Sequence, residues 1–144
     1  MIVNLYTDGA CKGNPGPGGW GVVIIKNGEA VDEIYGGELN TTNNRMELLA
    51  VIHGLNKIAE VDTVRVNTDS MYVKNGITSW ISKWVENGWK TASKKDVANK
   101  DLWIKLKSIV ENRDVTWNWV RGHSGDVGNE RADLLANKGV SDYC

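Results

Sequence analysis

Apolar and polar positions alternate over the first third of the chain. In residues 3–8, Val3 and Leu5 alternate with Asn4 and Tyr6, the period of a half-buried strand. Residues 20–26 form a β-branched run after a Gly/Pro-rich turn, and residues 31–39 form a third strand. Between them lies Asn27-Gly28, a strong hairpin signal. The spacing then becomes helical. Over residues 44–59, Leu48, Ile52, Leu55 and Ala59 recur on one face, with Met46 and Leu49 widening the stripe. A short strand follows at residues 64–68, then short helices at 70–77 and 78–87. An amphipathic helix at 98–112 carries Leu102, Leu106, Ile109 and Val110. Residues 115–120 alternate again, and a final helix covers 128–138. A hairpin meander followed by alternating helices and strands predicts an α/β domain. Its sheet should be mixed, antiparallel at one edge and parallel where helices cross over.

The chain of 144 residues fits one domain spanning positions 1–144, long enough to bury a sizeable core. No internal repeat or flexible linker divides it. The N-terminal residues lack the charged and apolar regions of a signal peptide. The longest apolar run, residues 22–25, is far too short for a bilayer, which needs about 20 residues. A cytoplasmic protein away from membranes is expected. Cys11 and Cys144 form neither a disulfide framework nor a metal-binding spacing.

The net charge of −1 excludes a wholly basic nucleic-acid binder, so any such binding must be local. Residues 83–107 supply a candidate: seven Lys against three acids, a local charge of +4. Trp80, Trp84 and Trp89 interleave with it. Lysines for phosphates and rings for sugars make a nucleic-acid platform. The same pattern also describes a solvated face with Trp80 and Trp84 packed inward and the Gly88-Trp89-Lys90 turn projecting.

Two strands end alike. Thr7-Asp8-Gly9 closes the first and Thr68-Asp69-Ser70 the fourth. Ligands of open α/β sheets sit beyond the carboxyl ends of parallel strands. If these strands are neighbours, Asp8 and Asp69 stand about 5 Å apart at the backbone. Such a pair needs a shared proton or a cation; singly, each Asp also suits a turn or helix cap. Glu47 reads two ways. In Asn44-x-x-Glu47 it can reach back to cap its helix, or it can stand beside a phosphate held by the donor-rich run of residues 40–45. His123 lies in a Gly-flanked loop and suits proton transfer. Asp133 lies about one turn into the last helix. Four carboxylates without a Cys or His cluster favour a hard cation such as Mg²⁺ over Zn²⁺. Two such ions can activate water and stabilise the leaving oxygen of a phosphodiester. No nucleotide-binding P-loop occurs, and the run Gly13-Asn14-Pro15-Gly16-Pro17-Gly18-Gly19 reads as a loop open to close backbone approach.

Seven segments together resemble bacterial type 1 ribonuclease H. They are Thr7-Asp8-Gly9, the glycine-rich run, Thr42-Asn43-Asn44-Arg45-Met46-Glu47-Leu48, Thr68-Asp69-Ser70, Gly88-Trp89-Lys90-Thr91, Trp119-Val120-Arg121-Gly122-His123 and Asn129-Glu130-Arg131-Ala132-Asp133. They stand in family order over nearly the whole chain. The resemblance implies the ribonuclease H-like fold, with a five-stranded sheet in order 3-2-1-4-5. It implies endonucleolytic cleavage of the RNA strand of RNA–DNA hybrids, leaving 3′-hydroxyl and 5′-phosphate ends. Asp8, Glu47, Asp69 and Asp133 then correspond to the catalytic metal-binding acids, with two Mg²⁺ ions, replaceable by Mn²⁺, joining the substrate. His123 corresponds to the proton-handling or product-release histidine. Gly9, Cys11, Gly13, Asn14 and Asn44 match positions near RNA 2′-hydroxyls. Thr42, Asn43 and Trp84 match a DNA-phosphate pocket, and residues 83–95, with Trp89 and Lys90, match the basic protrusion. The partner implied is the hybrid itself, with a monomer and no obligate protein partner.

The sequence departs from that pattern at Met71, where a base-contacting Gln is common. It departs also at Val85, Glu86 and Asn87, where the protrusion is often basic, and no additional N-terminal hybrid-binding domain is expected. The alternatives are another metal-dependent nuclease on this fold, a non-catalytic hybrid-binding module and a small-molecule phosphohydrolase. The 2′-hydroxyl loop disfavours the first, the full acid set the second, and the Trp/Lys platform the third.

Overall fold

The computed structural model describes residues 2–120 and 126–143. Five strands form one sheet in the order β3-β2-β1-β4-β5. β1 (Ile2–Cys11), β2 (Gly16–Lys26) and β3 (Glu29–Thr41) form the antiparallel meander, while β4 (Thr63–Thr68) and β5 (Val115–Trp119) join in parallel. The β2–β3 hairpin turns at Asn27 and Gly28, both with positive φ (53° and 78°), as its dipeptide predicts.

Helices cover both faces. α1 (Asn43–Asn56) and α4 (Lys100–Val110) lie on one face; α5 (Val127–Tyr143) lies on the other. Strand alternation assigns the residues. Leu5 meets Gly54 of α1, whereas Tyr6 meets Gly128 of α5. The larger core joins Val3, Leu5, Val64 and Val66 to Leu48, Ile52 and Leu55 of α1 and to Trp103 and Leu106 of α4. Each such side chain contributes about 1.5–3 kcal/mol by leaving water. A smaller cluster beneath α5 joins Val23, Ala132 and Leu135.

Several expected boundaries shift for physical reasons. The glycine-rich run is not loop throughout, because β2 begins at Gly16. A Cβ on Gly19 would stand 2.1 Å from the Ala136 carbonyl oxygen, and one on Gly21 2.4 Å from that of Ala132. These glycines serve close packing against α5. α1 ends at Asn56 and stops short of Ala59. The Arg113 guanidinium donates to the Leu55, Ile58 and Ala59 carbonyls at 2.8–3.0 Å and satisfies the turned chain end. The two short helices expected after β4 form a continuous run, α2 (Met71–Asn75), a π-helical turn (Gly76–Trp80) and α3 (Ile81–Glu86). Among the described residues, no helix is long and apolar enough to cross a membrane.

Candidate active site

The parallel β1–β4 ladder ends at Thr7 opposite Thr68, so Asp8 and Asp69 follow it side by side. Contrary to expectation, Thr7-Asp8-Gly9 does not close β1, which runs on to Cys11 because β2 still pairs with it. The turn after β4 is pinned locally. Ser70 N donates to Thr68 Oγ1 at 3.0 Å, Ser70 Oγ accepts from Val73 N at 3.1 Å, and Trp119 Nε1 donates to the Asp69 carbonyl at 3.3 Å.

Glu47 enters from α1. It does not cap its own helix, because Thr42 holds that position and accepts from Arg45 N at 3.2 Å. Glu47 turns instead to β1, where Oε1 accepts from Gly9 N; the same N–H donates to Asp8 Oδ1 at 2.9 Å. A Cβ on Gly9 would stand 2.7 Å from Glu47 N and 2.9 Å from Oε1. Only glycine lets strand and helix approach this closely.

Ligand atoms of Asp8, Glu47 and Asp69 lie within 4.8 Å of one another. Asp133 of α5 lines the same cavity of about 400 Å³, with Asn43, Asn44, Met71 and Tyr72 at its wall. Asp8 and Glu47 are each only 3% exposed. Asp8 Oδ2 and Glu47 Oε2 have no hydrogen-bond partner among the described residues. Burial, then the Glu47 and Asp69 charges, push the Asp8 carboxyl well above the carboxylate range. Burial also raises Glu47, although contacts with Asp8 and the Gly9 N–H oppose the shift. Buried oxygens without donors, on acids that repel one another, fit a divalent cation.

The other expected residues divide. Cys11, Asn14, Thr42, Asn43 and Asn44 gather where β1 meets the start of α1. Asn43 N donates to Asn14 Oδ1 at 3.1 Å, and Cys11 Sγ approaches the Gly16 and Thr41 carbonyls at 3.5 Å each. Gly13 turns the intervening loop with φ 83°. Trp84 belongs to a separate aromatic cluster. Its ring centroid lies 5.3 Å from Trp103, 5.9 Å from Trp80 and 6.3 Å from Trp89. The Gly88-Trp89-Lys90 turn does not simply project. Trp89 packs against the larger core, and Lys90 is paired with Asp96. His123 lies outside the described residues. Sequence patterning passed over Tyr72, Asn99 and Trp103, whose contacts join segments far apart in the chain.

The model of the RNase H family matches residues 1–141. The chain belongs to the RNase H family. Ribonuclease HI of Neisseria meningitidis serogroup B is 57% identical over 143 residues, covering 99% of this chain and 98% of that protein. The crystal structure of LC9-RNase H1, described as a type 1 RNase H with the type 2 active-site motif, is 35% identical with a TM-score of 0.85. The match covers 99% of this chain and 74% of that one. LC11-RNase H1, solved in complex with an RNA/DNA hybrid, is 28% identical with a TM-score of 0.69, covering 96% of both chains. As an RNase H, the chain is an endoribonuclease that hydrolyses the RNA strand of RNA–DNA hybrids. Asp8, Glu47 and Asp69 form an acidic cluster that could hold a metal ion.

Proposed function

We propose that Asp8, Glu47, Asp69 and Asp133 hold two Mg²⁺ ions, replaceable by Mn²⁺, around the scissile phosphodiester. The observation that carries this reading is the pair of buried, partnerless oxygens on Asp8 and Glu47 beside the Asp69 carboxylate. Bound there, the ions would supply the positive charge that eases attack by water and departure of the 3′-oxygen. The chain's own residues do the rest. The Gly9 N–H orients both buried acids, Trp119 and Ser70 fix the turn that presents Asp69, and α5 brings Asp133 to the cavity. The products carry 3′-hydroxyl and 5′-phosphate ends. His123 handles the proton or product departure.

RNA is distinguished by its 2′-hydroxyls at Gly9, Cys11, Gly13, Asn14 and Asn44. The DNA strand lies against Thr42, Asn43, Trp84, Trp89 and Lys90. The complex of LC11-RNase H1 with a hybrid supports this choice of partner. The working form is a single domain of residues 1–144, a cytoplasmic monomer without an obligate protein partner. Labelled hybrid, double-stranded RNA and double-stranded DNA, each with Mg²⁺ or EDTA, test the reading. Only RNA within the hybrid is cut. EDTA abolishes cutting, and Asp69→Asn lowers turnover by about 10³-fold or more. Intact hybrid with Mg²⁺ would sink the proposal, and cleavage surviving in EDTA would remove its metal.

A further inference from the structure

Two segments around the site meet at one phenolic oxygen, and a third reaches it through Asn99. Tyr72 Oη accepts from Asn99 Nδ2 at 3.0 Å and from Trp103 Nε1 at 2.9 Å. Asn99 opens α4 in the left-handed region, φ 59°, a conformation that Asn tolerates better than most residues. An Asn at a helix start ordinarily turns its side chain onto its own helix. This one makes no such bond. Its Oδ1 accepts from Arg45 Nη1 at 3.3 Å, while its Nδ2 serves Tyr72. Arg45 also grips Asp101 through two bonds of 3.0 Å, and its backbone N–H is held by Thr42.

The other side of Tyr72 is aromatic. Its ring centroid lies 5.3 Å from Trp103 and 5.9 Å from Trp80, and Trp103 leads on to Trp84. Tyr72 follows Asp69 by three residues and lines the acidic cavity. Tyr72 therefore lines the acid cavity, reaches the α1 start through Asn99 and Arg45, and reaches Trp84 through Trp103.

We propose that Tyr72, with Asn99 and Arg45, is a positioning residue that fixes the span between the metal acids and the aromatic platform. It thereby sets which RNA phosphodiester is cut relative to the point where the DNA strand is held. The inference rests on the reading of Trp84 and Trp89 as the DNA-strand surface. A merely structural tyrosine would lower stability and scale all cleavage events alike. A positioning residue spreads the cuts along the RNA.

The test uses a short end-labelled hybrid under single-turnover conditions, well below each variant's melting point. Tyr72→Phe keeps the ring and removes the acceptor. Arg45→Lys loosens the same joint without touching the core. In both, the share of product at the wild-type site falls about two-fold and neighbouring sites gain, since misplacement of about 1 Å is costly to reaction. KM rises several-fold, and the thermal shift given by Mg²⁺ alone stays at the wild-type value. A wild-type cutting pattern in both variants overturns the proposal. Trp84→Ala, assayed for hybrid binding in EDTA, separates the two readings. Unchanged affinity removes the platform and the joint together. Weakened affinity with an unspread pattern in Tyr72→Phe and Arg45→Lys overturns the joint alone.

Discussion

Replacing Asp8 by Asn should destroy activity and stabilise the metal-free protein. Its side chain shares a 4.8 Å cluster with Glu47 and Asp69. At that spacing and an effective dielectric near 20, two ionised carboxylates repel by about 3 kcal/mol. Proton uptake relieves part of this, leaving an expected gain of about 1–3 kcal/mol for Asp8→Asn near neutral pH. For a chain of 144 residues this raises Tm by about 3–9 °C. The sign follows from the direction of the shift. Burial, then Glu47 and Asp69, raise the folded-state pKa of Asp8. The stabilisation by its bound proton is complete below the unfolded carboxyl value of about 4 and is lost as pH rises through the folded value. The advantage of Asn should therefore be largest at neutral to alkaline pH and shrink towards pH ~4. The assay is thermal unfolding in EDTA across that range, repeated with a Mg²⁺ titration. Wild type gains stability with Mg²⁺, and Asp8→Asn gains less. A variant that melts below wild type in EDTA at neutral pH would refute the electrostatic account. So would an advantage that does not change with pH.

Gly9→Ala places a methyl against the Glu47 backbone and carboxylate. We expect about 1–3 kcal/mol of destabilisation by denaturant titration, together with loss of cleavage. His123→Ala should lower turnover about a hundred-fold without abolishing it, as steady-state assays would show; complete loss would give His123 a different role. The protrusion bears Val85, Glu86 and Asn87, so log K against log salt should be shallow. Joint Val85→Lys and Glu86→Lys changes should steepen the slope by about two.

The clearest features in the sequence were those with a local period. The two Thr-Asp pairs identify the site because the parallel ladder of β1 with β4 ends at Thr7 and Thr68 and so carries the following acids to equal heights, although β1 itself runs on to Cys11 along β2. Glu47 stayed ambiguous because three-residue spacing allows a cap. Thr42, standing one turn earlier, resolves it by taking the cap itself. The glycine-rich run read as loop because glycine usually signals backbone freedom. At Gly19 and Gly21 its purpose is the missing side chain beneath α5. The charge on Lys90 looked free for phosphate, but Asp96 across the turn engages it. Asn99, Tyr72 and Arg45 carry no shared pattern at all. Their association depends on the angles at which α1, α2 and α4 arrive.

The docking of α5 on that glycine floor has a consequence in time. Four of the five strands and three of the four proposed metal acids precede β5 in the chain; the fourth, Asp133, rides on α5. A chain that has reached β5 already carries Asp8, Glu47 and Asp69. It cannot complete the acid set until α5 emerges and settles on Gly19 and Gly21. On the reading of Asp133 as the fourth metal ligand, the site closes only with the last helix, and cleavage of hybrid is the final property the folding chain acquires.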